Sequence, residues 1–244
     1  MKSGKVAICL SGLVRTGIQA HPSFKKFFST LGDYDIFYHT WDTDIVTYEK
    51  VKELYKPVSS LVELPLDPIK ESSFGSMLYS IMMANELKKK HEIENNFRYD
   101  LVIKTRFDLV FDENSYFPTD PRWPRTIYSL GGNAGLNHTD YENHGISDLI
   151  FWGDSQSMDI ATNVYRYYKN VALVKNLYLR EGWKLDPLDY YLSPGTIIYQ
   201  RTVQRNIAHI RLQNGIREVP WRSDIDHLDP LKDFEKIRKR YAKQ

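Results

Sequence analysis

The chain has a single cysteine, Cys9, among its 244 residues. A disulfide framework is therefore excluded, and a reducing compartment is compatible with the sequence. No apolar stretch approaches the roughly 20 residues that a membrane-spanning helix requires. An excess of one charge is lacking too, since 33 Lys and Arg stand against 31 Asp and Glu for a formal net charge of +2. That balance gives no reason to expect nucleic acid as a partner. The one basic run, Lys236–Lys243, reads as a solvated helix face. Internal repeats, low-complexity tracts and Pro/Gly/Ser linkers are also missing, so one domain is expected over residues 1–244. Lysines ahead of Val6-Ala7-Ile8-Cys9-Leu10 imitate a signal peptide. That apolar run is only about half the length of a secretory core, and Ser11, Gly12 and Arg15 interrupt it. A first buried strand explains it better, and a cytoplasmic protein, at most peripheral at a membrane, is expected.

What the chain does have is a strand-then-helix rhythm. Val6–Leu10 is a short apolar run closed by Ser11-Gly12, as a buried strand and tight turn would be. Phe24, Phe27, Phe28 and Leu31 have helical spacing, and Pro22 suits the first turn of such a helix. A second strand is expected at Asp35–Trp41, a helix at Val46–Leu54 and a third strand at Leu61–Leu66. Met77, Ile81, Ala84 and Leu87 fall on one helical face, and Lys88-Lys89-Lys90 complement the dipole of a helix over Ser76–Lys90. Tyr99–Asp112 then holds a strand at Leu101-Val102-Ile103. Pro, Gly and Asn crowd residues 112–143, which read as long loops around a short strand near Thr126–Leu130. A strand at Leu149–Trp152, a helix at Ser155–Asn170, a short helix at Asp186–Leu192 and a strand at Gly195–Gln200 complete the pattern. Strands alternating with helices predict an α/β fold, a Rossmann-type, mostly parallel sheet flanked by helices.

Open parallel sheets bind ligands beyond the carboxyl ends of their strands, so the residues that follow each strand are the candidates. After the first come Ser11-Gly12-Leu13-Val14-Arg15-Thr16-Gly17, where glycine permits close approach to a phosphate and Arg15 offers a two-pronged donor. After the second comes His39-Thr40-Trp41-Asp42, suited to a base or a ribose. After the fourth comes Lys104-Thr105-Arg106-Phe107-Asp108, two cations and a carboxylate behind an apolar strand. Burying such charges costs several kcal/mol unless they are paired or ligand-bound. Alternation along an extended strand would put Arg106 and Asp108 on one side. There they can pair with each other, or converge on a diphosphate and its metal ion.

These blocks resemble a known group. The opening Lys5–Gly12 with Arg15-Thr16, the block Asp35–Asp42, Tyr99–Phe111 and Ser147–Gly153 followed by Met158 are together similar to bacterial and viral GT-A-type glycosyltransferases. Relatives of the WavE polysaccharide-synthesis proteins are among them. The resemblance spans roughly residues 5–158 and implies transfer of a sugar from a nucleotide-diphosphate donor, UDP first among the bases, to a glycan or other hydroxyl acceptor. It divides the chain into a nucleotide-binding part, about 1–112, and an acceptor part, about 113–230. The usual Asp-x-Asp metal motif is replaced here by Arg106-Phe107-Asp108. On that alignment Asp108 keeps the contact with Mn2+ or Mg2+, His227 is the candidate late metal ligand, and His209 is the weaker one. Ser11, Gly12, Arg15, Thr16, Asp42, Lys104, Arg106 and Asp108 would bind donor. Asp148 and Asp189 are the candidates for the base that deprotonates the acceptor, while Asp186 before Pro187 reads as a helix cap.

Two other readings use the same residues. The Ser-Gly…Arg-Thr turn would also suit the donor phosphates of a sulfotransferase, although Ser11–Gly17 contains no lysine. A catalytically inactive sugar- or nucleotide-binding protein is compatible with arginine at the first position of the acidic motif.

Overall fold

A continuous apolar run with no polar face leaves Val6-Ala7-Ile8-Cys9-Leu10 one stable solution, a strand covered on both sides. In the computed structural model of the chain, strand β1 (Val6–Ser11) is buried along its whole length. The structure describes residues 4–42, 45–66, 73–118, 125–130, 149–166, 168–169, 208–212 and 218–220. Helix α1 (Gly17–Phe27) leads to β2 (Asp35–Trp41), and α2 (Ile45–Tyr55) leads to β3 (Ser59–Glu63). Helix α3 (Ser73–Glu94) then crosses to β4 (Leu101–Thr105). Next come β5 (Leu109–Phe111), β6 (Thr126–Leu130), β7 (Phe151–Gly153), α4 (Ser155–Thr162), β8 (Ala208–Leu212) and β9 (Glu218–Pro220).

Seven strands form one sheet in the order β3-β2-β1-β4-β7-β6-β8, while β5 and β9 form a separate pair. Strands β1 to β4 run parallel, β7 is antiparallel to both of its neighbours, and β6 and β8 are parallel to each other. The result is an α/β fold with a mostly parallel, Rossmann-like sheet flanked by helices. Two apolar cores cover its faces. Ile8, Leu10, Ile36, Tyr38, Leu101 and Ile103 join Phe24, Phe27 and Tyr55 on the side of α1 and α2. Ala7, Cys9, Phe37 and Val102 meet Leu78, Ile81, Met158 and Ala161 on the side of α3 and α4. The period of two along each strand sorts these residues.

Several expected boundaries move. Pro22 lies inside α1, not in its first turn, because the helix already begins at Gly17, and Leu31 belongs to a separate 3-10 turn, Ser29–Leu31. The third strand starts and ends earlier than Leu61–Leu66, as Pro65 cannot continue a paired strand. Helix α4 ends at Thr162, but after a turn at Asn163 residues 164–166 and 168–169 are again helical, so the run expected to Asn170 is interrupted and not absent. Most consequential, β4 stops at Thr105, and residues 106–108 form a turn between β4 and β5. Arg106 and Asp108 do pair, but through that turn and not through strand alternation. The expected helix at 186–192 and strand at 195–200 lie outside the described residues.

Candidate functional site

Strand order alone locates a crevice. From β1 the chain moves to β2 and β3 on one side, then returns to lay β4 on the other. Sheets built this way bind ligands at the carboxyl ends of the two strands that flank the reversal. Here those ends are Ser11 and Thr105.

The loop leaving β1 is shaped by two residues with positive φ. Gly12 has φ +100°, a region that an L side chain rarely enters, and its N–H donates to Ser80 Oγ at 2.7 Å. Arg15 has φ +43°, and its guanidinium crosses to the β4 side, where Nη1 donates to Asp108 Oδ2 at 3.0 Å. Gly17 opens α1 so close to the β4–β5 turn that a Cβ there would lie 2.9 Å from Phe107 Cβ. Across the crevice, Arg106 grips the same carboxylate twice, Nε to Oδ1 at 2.8 Å and Nη2 to Oδ2 at 2.7 Å. Asp108 is thus 1% exposed, while Arg15 is 49% exposed. Three of the residues expected to bind donor, Arg15, Arg106 and Asp108, are brought together as one ionic group.

The other expected residues fall around this group in different ways. Ser11 ends β1 and is buried. Thr16 is buried beside the start of α1, and its Oγ1 has no hydrogen-bond partner. Thr40 and Thr105, by alternation on the α1 side of the sheet, carry buried hydroxyls in the same condition. Unsatisfied hydroxyls cost about 1–3 kcal/mol each, and these three stand near the carboxyl ends of adjacent strands. Asp42 is exposed at the end of β2, its N–H bonded to the Glu63 carbonyl at 2.6 Å. Lys104 is buried on the opposite face, its Nζ 5.7 Å from the centre of the Phe151 ring. Asp148, Asp189 and His227 lie outside the described residues. The backbone of His209 lies in β8, opposite Ile127.

Sequence reasoning named His39 but missed the group it belongs to, which lies beside the first. His39 is fully buried, with Nε2 2.8 Å from Glu63 Oε2 and Nδ1 2.8 Å from Ser80 Oγ. An ionised carboxylate can only accept, so Nε2 carries the proton and Nδ1 accepts from the Ser80 hydroxyl. Ser80 in turn accepts from Gly12 N–H, and Tyr79 donates to Glu63 at 3.1 Å. A directed chain therefore ties the Gly12 turn to the ends of β2 and β3. Burial holds the His39 imidazole below its ordinary pKa, opposed by the hydrogen bond to Glu63. Trp41 stacks on Tyr79 with ring centres 5.6 Å apart, so one face of its indole is already covered. Glu63 went unnoticed because the strand was expected to run on to Leu66, whereas it ends at Glu63 itself. Ser80 was missed because it reaches the site from α3.

A divalent ion at Asp108 can be tested against this geometry. Both carboxylate oxygens are held by guanidinium groups, and a cation there would face two positive charges. Asp108 as it stands does not fit a metal ligand. Among the described residues no group of three or more His, Cys, Asp or Glu could hold a metal. A cavity of about 510 Å³ opens at the opposite, amino edge of the sheet, lined by Lys5, Asp33, Tyr34, Asp35 and His91 among others. Several polar groups there are already paired, Tyr99 to Asp35 at 2.6 Å and Lys5 N–H to Asp100 at 2.8 Å, and Lys5 Nζ lies over Phe97. The switch-point crevice is the stronger candidate, since its arginine remains half exposed. No protein-family model matches the chain, and no curated protein matches it significantly. Among the described residues no helix is long and apolar enough to cross a membrane.

Proposed function

We propose that the protein transfers a sugar from a nucleoside-diphosphate donor to a hydroxyl acceptor on a glycan or other glycoconjugate. The observation that carries this reading is the meeting of Arg15 with the Arg106–Asp108 pair at the reversal of strand order. In an inverting course the acceptor oxygen forms a bond to C1 of the donor sugar. The bond from C1 to the β-phosphate oxygen breaks, its electron pair leaves with the nucleoside diphosphate, and the acceptor proton passes to a carboxylate. Asp148 and Asp189 are the proposed bases, with no geometry assigned to either. Charge grows on the departing diphosphate, and a fixed guanidinium aimed at it favours the transition state over the bound donor. Arg15 has the exposure to serve, Ser11, Gly12 and Thr16 of the same loop are proposed as further donor contacts, and Asp42 is proposed for the ribose. The expectation of Mn2+ or Mg2+ at Asp108 and His227 stays with the family resemblance, and no step is routed through a metal.

A thermal-shift panel of UDP-, GDP-, CMP- and dTDP-sugars, each with and without manganese, tests the donor class, since a ligand that binds only the folded state raises its melting point. A stabilising donor that also yields free nucleotide in the presence of acceptor supports the reading. No shift across the whole panel sinks it. A second reading, a nucleotide-binding protein without turnover, is favoured by the three guanidinium hydrogen bonds on Asp108, and stabilisation without nucleotide release would establish it.

A further inference from the structure

We infer that Asp108 anchors Arg15, and that the crevice meets a diphosphate with this guanidinium in place of a divalent ion. The inference rests on the donor class proposed above and deepens it. A carboxylate has about four lone-pair positions. Arg106 Nε occupies one on Oδ1, while Arg106 Nη2 and Arg15 Nη1 share Oδ2. At 1% exposure Asp108 has almost no surface left to offer an incoming ion. Removing a guanidinium to admit a metal would leave that cation beside the new one, and the two would repel at short range in a poorly screened place.

Arg15 is placed for the opposite task. Its recorded ion pair uses Nη1 alone, and about half of the side chain faces solvent. Its backbone sits at φ +43°, a region that non-glycine residues seldom enter, and its Nη1 is tied to Asp108 Oδ2. The next residue, Thr16, adds a buried hydroxyl without a partner at the start of the 11-residue helix α1. The partial positive charge of that helix end acts in the same direction. A flexible, hydrated arginine becomes a fixed one, and fixed donors recognise phosphate oxygens without first paying for their own ordering. Asp108 is on this account a positioning residue, acting on the ligand through Arg15.

Titration calorimetry of the full chain with UDP and with inorganic pyrophosphate, in excess EDTA and then with manganese, decides the matter. Pyrophosphate reports the anion site whatever base the donor carries. Affinity in EDTA should stay within about threefold of the manganese value, small against the tenfold that 1.4 kcal/mol represents. Arg15→Gln, at a half-exposed position, should keep its melting point and lose about ten- to hundredfold in affinity in EDTA, the range for a charge-assisted contact. Asp108→Asn should weaken binding in EDTA as well, because Arg15 loses its anchor. A metal-ligand role predicts a different pattern, with binding that vanishes in EDTA and an Asp108→Asn defect seen only when manganese is present. That pattern would overturn the inference and leave the donor class standing. Absence of binding to either ligand under both conditions would remove both. Should Asp108→Asn fail to fold, unchanged affinity in Arg15→Gln is sufficient to refute the proposal.

Discussion

Two ionic clusters stand at opposite edges of the sheet, and they are built to different rules. Between α3, α4 and the turn before β4, Lys88 is fully buried, with Nζ donating to Ser155 Oγ at 2.7 Å and Asp159 Oδ1 at 2.8 Å and 3.1 Å from Glu92. Glu92 accepts from Tyr99 N–H and Ser155 Oγ, and Arg98 closes the group on Asp159 at 2.7 Å. Two cations meet two carboxylates, so this group is neutral. Burial alone would raise the Asp159 pKa, yet Lys88 and hydrogen bonds from Lys88, Asn85 and Arg98 outweigh it and leave it below the ordinary carboxylate value. Cys9, buried in the neighbouring core, has its thiol pushed up to about 12 by burial, so it packs as an inert apolar group. At the other edge, Arg15 and Arg106 share one aspartate, half of Arg15 faces water, and buried hydroxyls lack partners. The neutral cluster is architecture, and the one with a half-exposed arginine beside unsatisfied hydroxyls is the one proposed to receive a ligand.

That contrast can be broken by mutation. Lys88→Met should be the most damaging change, costing about 3–5 kcal/mol in urea unfolding because it leaves two carboxylates without their buried cation. A loss below about 1 kcal/mol would mean that solvent reaches the group. Arg15→Ala should reverse the balance. Its ion pair is too exposed to hold much stability, less than about 1 kcal/mol, while donor affinity should fall by roughly 1.5–3 kcal/mol. Equal effects of the two variants on unfolding would erase the distinction. Gly17→Ala lies between them. Its new Cβ would press on Phe107 Cβ in the turn that carries Arg106 and Asp108, and overpacking of this kind costs about 1–3 kcal/mol. Urea unfolding and nucleotide titration of the one variant should both register the shift, and a stable variant with unchanged affinity would show that the turn gives way freely.

Much of this was legible in the chain, for identifiable reasons. Apolar runs at Val6–Leu10 and Leu101–Ile103 have no polar face, and buried strands follow. Asp35–Trp41 and Thr126–Leu130 were bounded correctly because their flanks carry turn residues. The convergence of Arg15 with Arg106 and Asp108 followed from a topological rule applied to strand ends. Helix limits were less visible, since a proline at Pro22 reads as a beginning although the fold tolerates it inside α1. The turn at residues 106–108 was read as strand because the apolar character resumes immediately beyond it at Leu109–Phe111. Ser80 escaped notice altogether. Nothing local marks a helical serine that will meet Gly12 from 68 residues away. Contacts of that separation are set by packing, and no spacing rule reaches them.

The finest separation of the two clusters is by acid. His39 is held neutral in the fold, below its unperturbed value of 6.5, by burial that outweighs its bond to Glu63. The unfolded chain therefore binds a proton more readily than the folded one, so stability rises with pH through this window. The contribution is complete above 6.5 and is lost as pH falls through the folded value. Asp159 is also depressed, but from 3.8, so its contribution survives until much stronger acid. Melting temperature followed from about pH 8 to 5 should fall gently while the Lys88 network stays intact. His21, lowered by burial and by Lys25, adds in the same direction. The share belonging to His39 is therefore the part that His39→Gln removes, since glutamine can still donate toward Glu63 without titrating. Parallel acid curves for the wild type and this variant would assign the whole slope elsewhere. A flattened curve would assign that share to His39, and a nucleotide affinity lowered in the same variant would tie the Glu63–His39–Ser80 chain to the Gly12 turn. The carboxyl edge would then be the first part of the fold to yield to protons.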